Sequence, residues 1–199
     1  MDLKITDSVH IKNQKIFHGK EMIFSAKPSA DIIQFLKQAY KYLNVSYPKF
    51  HKMDGLSKLG ILGTEVLFQN RTIHPETALI FSNSSSSLET DKLHIEAMGD
   101  IVSPAVFVYT LPNIVVGEIS IKNGLLSENV FFVTDKFNAG LLLDYSEILM
   151  EDSDVPAVVC AWIEWKNADY DVFLCLISRK GNLAFNKENL EELYHFENE

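Results

Sequence analysis

The stretch NVFFVTDKFNAG, residues 129–140, decides the fold. Asn129 to Val133 is an apolar run that reads as a buried strand, Thr134-Asp135-Lys136 interrupts it, and a helix opens near Asn138 and runs to 150. Enzymes often place a nucleophile at such a strand-to-helix turn, because the amide groups and dipole of the first helical turn stabilise an anion there. The turn therefore locates the position at which chemistry is to be sought.

Downstream, VPAVVCAWIEW (155–165) and YDVFLCLIS (170–178) are two apolar strands joined by the four residues KNAD. A loop that short predicts an antiparallel hairpin. Centring it between Asn167 and Ala168 places Cys160 opposite Cys175. The tail NKENLEELYHF (186–196) is an acidic amphipathic helix with Leu190, Leu193, Tyr194 and Phe196 inward.

Upstream, helices and strands alternate. SADIIQFLKQAYKYL (29–43) is a helix with Ser29 as its N-cap, and GLSKLGILGTEVLFQ (55–69) is a second, with Leu56, Leu59, Leu62, Val66 and Leu67 on one face. TALIFSN (77–83) is a short apolar strand, and the serine run after it is a strand-to-helix turn into SLETDKLHIEAM. LPNIVVGEISIKNGL (111–125) is a helix with Pro112 at its start, Gly124 at its end and Glu118 and Lys122 tolerant of solvent between them. The acidic groups EDSD (151–154) and ENLEE read as solvated, and Asp135 as a capping carboxylate.

Composition restricts the functions available. The 199 residues are 47% hydrophobic and 23% charged, the balance of a soluble globular chain with a core of its own. No apolar run approaches the roughly 20 residues that span a bilayer, and MDLKITDSVH has no signal-peptide core, which predicts a cytoplasmic protein without a membrane partner. A net charge of −9, with lysines and arginines in isolated pairs, argues against nucleic acid. Cys160 and Cys175 form no CxxC, and neither has a histidine at ligand spacing, so no metal site and no cofactor is expected. SSSS (84–87) lacks the glycines and lysine of a phosphate loop.

SPAVFVYTLPNIVVGEISIKNGL (103–125), with its Ser-Pro and Asn113-x-x-x-Gly117, resembles the stretch that leads to the nucleophile of β-ketoacyl synthases in the thiolase-like superfamily. FHKMDGLSKLGILGTEVL and ALIFSNSSSSLETD resemble, in order and spacing, the first helix and the serine-rich strand end of that family. The similarity covers roughly residues 45–178, the N-terminal half of a ketosynthase.

The resemblance implies one half of a thiolase-like α/β fold: a mixed five-stranded sheet with helices on its faces, made of strand-helix repeated three times from a first strand near residues 2–12 and closed by two strands, plus the C-terminal helix. Residues 1–199 are then expected to be one ketosynthase-like domain. The family's nucleophilic Cys starts the helix after the strand and takes an acyl chain from a carrier protein as a thioester. Aligning Gly140 with the glycine three residues after that Cys puts Phe137 at its position, and a shift to Asp135, Lys136 or Asn138 restores no thiol.

A catalytically silent subunit of the chain-length-factor type follows from the resemblance. It would pair with an active ketosynthase and meet acyl carrier protein through that complex, in the setting of aryl polyene or related type II pathways. Val130, Phe131, Phe132 and Val133, with Asn113 and Gly117, are the expected interface, because the family's strand at this place pairs across the dimer. Alone, the chain is expected to form a homodimer through the same strand. The competing readings are a small carrier-dependent acyltransferase or thioesterase, and a homodimeric scaffold.

Overall fold

The computed structural model describes residues 2–27, 31–98, 104–152 and 155–196. Ser29, Ser103 and residues 153–154 of the acidic stretch lie outside them.

The chain opens with a meander of three strands, β1 (Lys4–Lys12), β2 (Lys15–His18) and β3 (Glu21–Ser25). Helices α1 (Ile32–Tyr42) and α2 (Gly55–Leu67) follow, separated by a 3-10 turn at Pro48–Lys52. Then come β4 (Ala78–Asn83), α3 (Leu88–Ala97), α4 (Pro104–Val108), α5 (Ile114–Asn123), β5 (Asn129–Val133) and α6 (Ala139–Asp152). The hairpin β6 (Ala157–Lys166) and β7 (Asp169–Ser178), the short β8 (Leu183–Ala184) and α7 (Lys187–Tyr194) complete the chain.

All the strands join one sheet of order β3-β2-β1-β7-β6-β4-β5, with β8 beside β1. β4 runs parallel to both β5 and β6, and β7 is antiparallel to both β6 and β1. The five expected strands, β1, β7, β6, β4 and β5, are contiguous in it, with β5 at the edge. The expected count of five is corrected to eight among the described residues, because β2, β3 and β8 extend the sheet around β1. Two tight turns build that extension: Asn13 and Gln14 at φ 51° and 57° reverse the chain between β1 and β2, and Gly19 at φ 58° reverses it again before β3.

Alternation along the strands gives the sheet two apolar faces. Leu79 and Phe81 of β4 turn to one face with α1, α2 and α5; Ala78 and Ile80 turn to the other with α6 and α7. A bulge between Ile5 and Asp7 reverses the alternation of β1, so Ile5 lies on the α6 face whereas Val9 and Ile11 lie on the α2 face. Helix α2 sits tightly on the sheet and on α5, for a Cβ on Gly63 would come within 2.5 Å of Leu174 of β7 and one on Gly60 within 2.5 Å of Val115 of α5. Cys160 pairs directly with Cys175 in the β6–β7 ladder, and both thiols are fully buried.

Three local expectations change. Asp31, not Ser29, caps α1 by accepting the Gln34 N–H at 2.7 Å. Asn138, not Asp135, holds the start of α6, its side-chain oxygen accepting the Leu141 N–H at 3.0 Å while Asp135 stays exposed. Glu118 is buried at 3% exposure rather than solvated.

Candidate functional site

The two parallel strands β4 and β5 end side by side, and ligands of open α/β sheets bind outside the carboxyl ends of such strands. Val133 is level with Asn83, whose carbonyl accepts the Thr134 N–H at 2.9 Å. The Asn83 side chain closes the serine turn, donating to the Ser86 carbonyl at 2.8 Å and accepting the Ser86 N–H at 2.9 Å. Glu164, at the end of β6, accepts from the N–H and hydroxyl of Ser84 at 2.8 and 2.5 Å. Ser87 donates to the Thr110 carbonyl, which ties the turn to the segment before α5. The serine run is thereby consumed in fixing the strand ends.

Phe137 occupies the last turn residue before the Asn138 cap and is 6% exposed. Its ring stacks on Tyr194 of α7 with centroids 4.0 Å apart, and meets Phe173 and Trp162 edge-on at 5.7 and 6.4 Å. A hydrocarbon ring packed into the layer between sheet and α7 can neither attack a thioester nor accept a proton. Beside it lies a surface cleft of about 540 Å³ lined by residues 133–138 together with Lys187 and Glu191 of α7. The chain's two thiols lie elsewhere, within the β6–β7 ladder: Cys160 sits 3.1 Å from the Ser146 hydroxyl, and Cys175, hydrogen-bonded to Cys160 and buried, has its thiol pKa raised. A raised pKa disfavours the thiolate that nucleophilic attack needs.

The expected interface residues lie along one side of the sheet. β5 is its edge, paired with β4 alone among the described residues, so its outer row of backbone N–H and C=O groups has no strand partner there. Phe131 leans on the α2 face, Val130 and Phe132 on the α6 face, and Val133 is 56% exposed. Asn113 is exposed on α5, and Gly117, one turn on, has open space where a side chain would stand. Next to the strand ends the segment from α3 to the start of α5 presents large apolar side chains to solvent, among them Ile95, Met98, Phe107 and Leu111, each more than half exposed.

A second cluster escaped the sequence reading. The Glu118 carboxylate receives Lys49 at 2.6 Å and the Tyr109 hydroxyl at 3.1 Å on one oxygen, and the Tyr47 hydroxyl at 3.2 Å on the other. Burial, followed by the Glu118 charge, raises the pKa of both phenols, and the hydrogen bond to Glu118 raises that of Lys49. Nearby, Asp54 caps α2 through the Ser57 N–H at 2.9 Å and accepts the Thr90 hydroxyl at 2.8 Å; burial raises its pKa. The lysines, isolated along the chain, also gather: Lys37, His51 and Lys58 rim a small cleft floored by Ile33, Leu36 and Phe50. Only helical position 118 hinted at the first cluster, since its partners come from other segments.

Among the described residues no group of three or more His, Cys, Asp or Glu is placed to hold a metal ion, and no helix is long and apolar enough to cross a membrane.

The strand order and the strand-to-helix turn at Phe137 define an α/β fold of the ketosynthase type, and solved structures agree. The chain is similar to a chain in the complex of the ketosynthase ApeO with its chain length factor ApeC from Xenorhabdus doucetiae, at TM-score 0.60 and 15% identity over 98% of this chain and 90% of that one. It is similar to a chain of the ishigamide ketosynthase/chain length factor at TM-score 0.66 and 15% identity, covering 89% of this chain and 62% of that one. A chain of AntDE:AntF, a type II acyl-carrier protein in complex with its hexaketide-bound ketosynthase, matches at TM-score 0.55 and 12% identity over 96% and 65%. The protein thus has the thiolase-like fold of ketosynthase and chain-length-factor subunits, and spans under two thirds of the latter two chains. No protein family and no curated protein sequence matches it.

Proposed function

We propose that residues 1–199 form one ketosynthase-like domain that works as a noncatalytic, chain-length-factor-type subunit bound to an active ketosynthase in the cytoplasm. The observation that carries this reading is the edge strand β5, unpaired on its outer side and flanked by exposed apolar helices, next to a turn whose key position holds Phe137. An apolar edge strand left in water is an invitation to pair with another chain. Phe137 leaves the turn with no thiol to carry an acyl chain, so the thiol would come from the partner. The chain of the ApeO–ApeC complex that it matches is covered over 90% of its length, which supports a reading as a subunit of that kind. An aryl polyene or related type II pathway is the setting we favour.

Acyl carrier protein would meet the subunit through the complex. The cleft rimmed by Lys37, His51 and Lys58 offers an acidic carrier a place to touch down, since neither lysine forms an ion pair among the described residues.

Co-expression with an active ketosynthase tests the reading. The wild-type chain should co-purify with it, and Val133→Lys should abolish capture while leaving the fold intact, because the introduced ammonium would be desolvated without a partner. A folded Val133→Lys that still binds would sink the proposal, as would a wild-type chain that stays monomeric at micromolar concentration and ignores the ketosynthase. Intact-mass spectrometry after incubation with acyl-loaded carrier should find no adduct; acylation of Cys160 or Cys175 would favour the small acyltransferase instead.

A further inference from the structure

The side of the sheet that carries Phe137 is closed by the last segment of the chain, and one residue beneath it is out of keeping with its surroundings. His10 of β1 is 1% exposed, its ring 4.7 Å from that of Phe173 and 6.3 Å from that of Phe196. Both ring nitrogens are buried and make no well-formed hydrogen bond, although the backbone of Leu193 and Tyr194 passes over them. A buried imidazole held by such poorly formed backbone contacts alone costs free energy that an uncovered, hydrated one does not.

The cover itself rests on few attachments. Leu190 is its one fully buried side chain, Tyr194 stacks on Phe137 and donates to Asp171 at 2.6 Å, and Lys12 donates to the Phe196 carbonyl at 3.0 Å. Asn186 caps α7 and separates it from β8, which is held to β1 by two residue pairs. Such a helix, eight residues long and joined to the sheet through one short strand, can leave without disturbing the β6–β7 ladder.

We infer that residues 186–196 are a hinged strap, closed over His10 and Phe137 when His10 is neutral and released when it is protonated. Release removes Lys187 and Glu191, the α7 wall of the cleft beside the β5–α6 turn, and uncovers the Phe137–Phe173 surface. The inference stands apart from the ketosynthase partnership.

The electrostatics agree in sign. Burial, then the nearby Lys12 ammonium, pushes the His10 pKa down from 6.5 to about 4, outweighing the backbone of Leu193 and Tyr194, which raises it. The other charged or titratable groups around the seat are Lys20, whose ammonium lies 5.7 Å from the centre of the Phe196 ring, Asp171 and Tyr194 in their hydrogen bond, Glu164 acting on Tyr194, and the exposed Glu191–His195 pair on α7. The Glu191–His195 pair lies within the strap and travels with it, which leaves His10 as the group that drives release. Because the closed-state pKa is depressed, closure is at full strength above pH 6.5 and is lost as the pH falls toward 4. Between pH 7.5 and 5.0 the opening constant should rise about 30-fold.

Hydrogen exchange of the full chain, corrected for the intrinsic pH dependence, reads this directly. Protection at 190–196 should fall about 30-fold from pH 7.5 to 5.0 while that of β6 and β7 holds, and His10→Phe should flatten the response. Tyr194→Phe, which leaves His10 in place, should loosen the strap about tenfold at both pH values and keep their ratio. The strap is refuted by protection at 190–196 that is independent of pH, by loss only together with β6–β7, or by a response that survives in His10→Phe. If His10→Phe does not fold, a Tyr194→Phe effect spread over the whole sheet refutes it equally.

Discussion

Replacing Phe137 with Ala tests whether the turn residue is a packing element rather than an active one. The ring is all but fully buried and touches three other aromatic side chains, of which the Tyr194 contact is the closest at 4.0 Å. Buried Phe→Ala changes cost about 3–5 kcal/mol, and a pair of stacked rings contributes about 0.5–1.5 kcal/mol beyond its area. The adjoining cleft lets water or Lys187 relax into the space left behind, so the lower end applies, about 3 kcal/mol. With a urea slope of about 2 kcal/mol per molar, the unfolding midpoint should drop by about 1.5 M with the slope unchanged. A double-mutant cycle with Tyr194→Ala should return a coupling of about 1 kcal/mol. A loss below about 1 kcal/mol, or no coupling, would mean that the ring is not seated between sheet and α7, and the account of the turn would fall with it.

Two further outcomes follow from the buried polar groups. Glu118→Ala should destabilise by about 2 kcal/mol in the same assay, chiefly because the buried Tyr109 hydroxyl loses its acceptor, whereas Lys49, half exposed, swings into water; Glu118→Gln should recover about half of the loss. The thiols of Cys160 and Cys175 should resist a disulfide reagent for as long as the protein stays folded and titrate as two on unfolding, since both are buried and the Cys175 thiol pKa is raised.

How far the sequence could be read depended on the range of the interactions involved. The α2 helix, β4, β5 and the register of Cys160 against Cys175 were legible because periodicity and a two-residue turn are local signals. β2 and β3 were missed although their turns are as tight. Asn13-Gln14 lacks the glycine that advertises such a turn, and the short strands KIFH and EMIFS mix charged and apolar residues without clean alternation. Glu118 misled for a different reason. A charged residue on an otherwise apolar helix reads as exposed until Tyr47, Lys49 and Tyr109 arrive from segments nine to 71 residues away. The turn at Phe137 was found because strand, break and helix succeed one another along the chain; the covering by Tyr194, 57 residues on, is tertiary and left no local trace.

The sheet also dictates a timetable for synthesis. Within the sheet of the described residues β1 is joined to β4 through β6 and β7, long strands made after both, as the pairs Ile5↔Ile177 and Ile80↔Cys160 record. A nascent chain that has emerged as far as α6 therefore holds two unjoined pieces of sheet, the β1–β3 meander and the β4–β5 pair, linked through α2 and α5 but with the inner edges of both unfilled. Contacts between such distant positions form slowly, and open edges attract other chains while they wait. The β6–β7 hairpin acts as a keystone, so a ribosome stalled before residue 178 would display a two-part intermediate for chaperones and proteases to sort, whatever the stability of the finished protein.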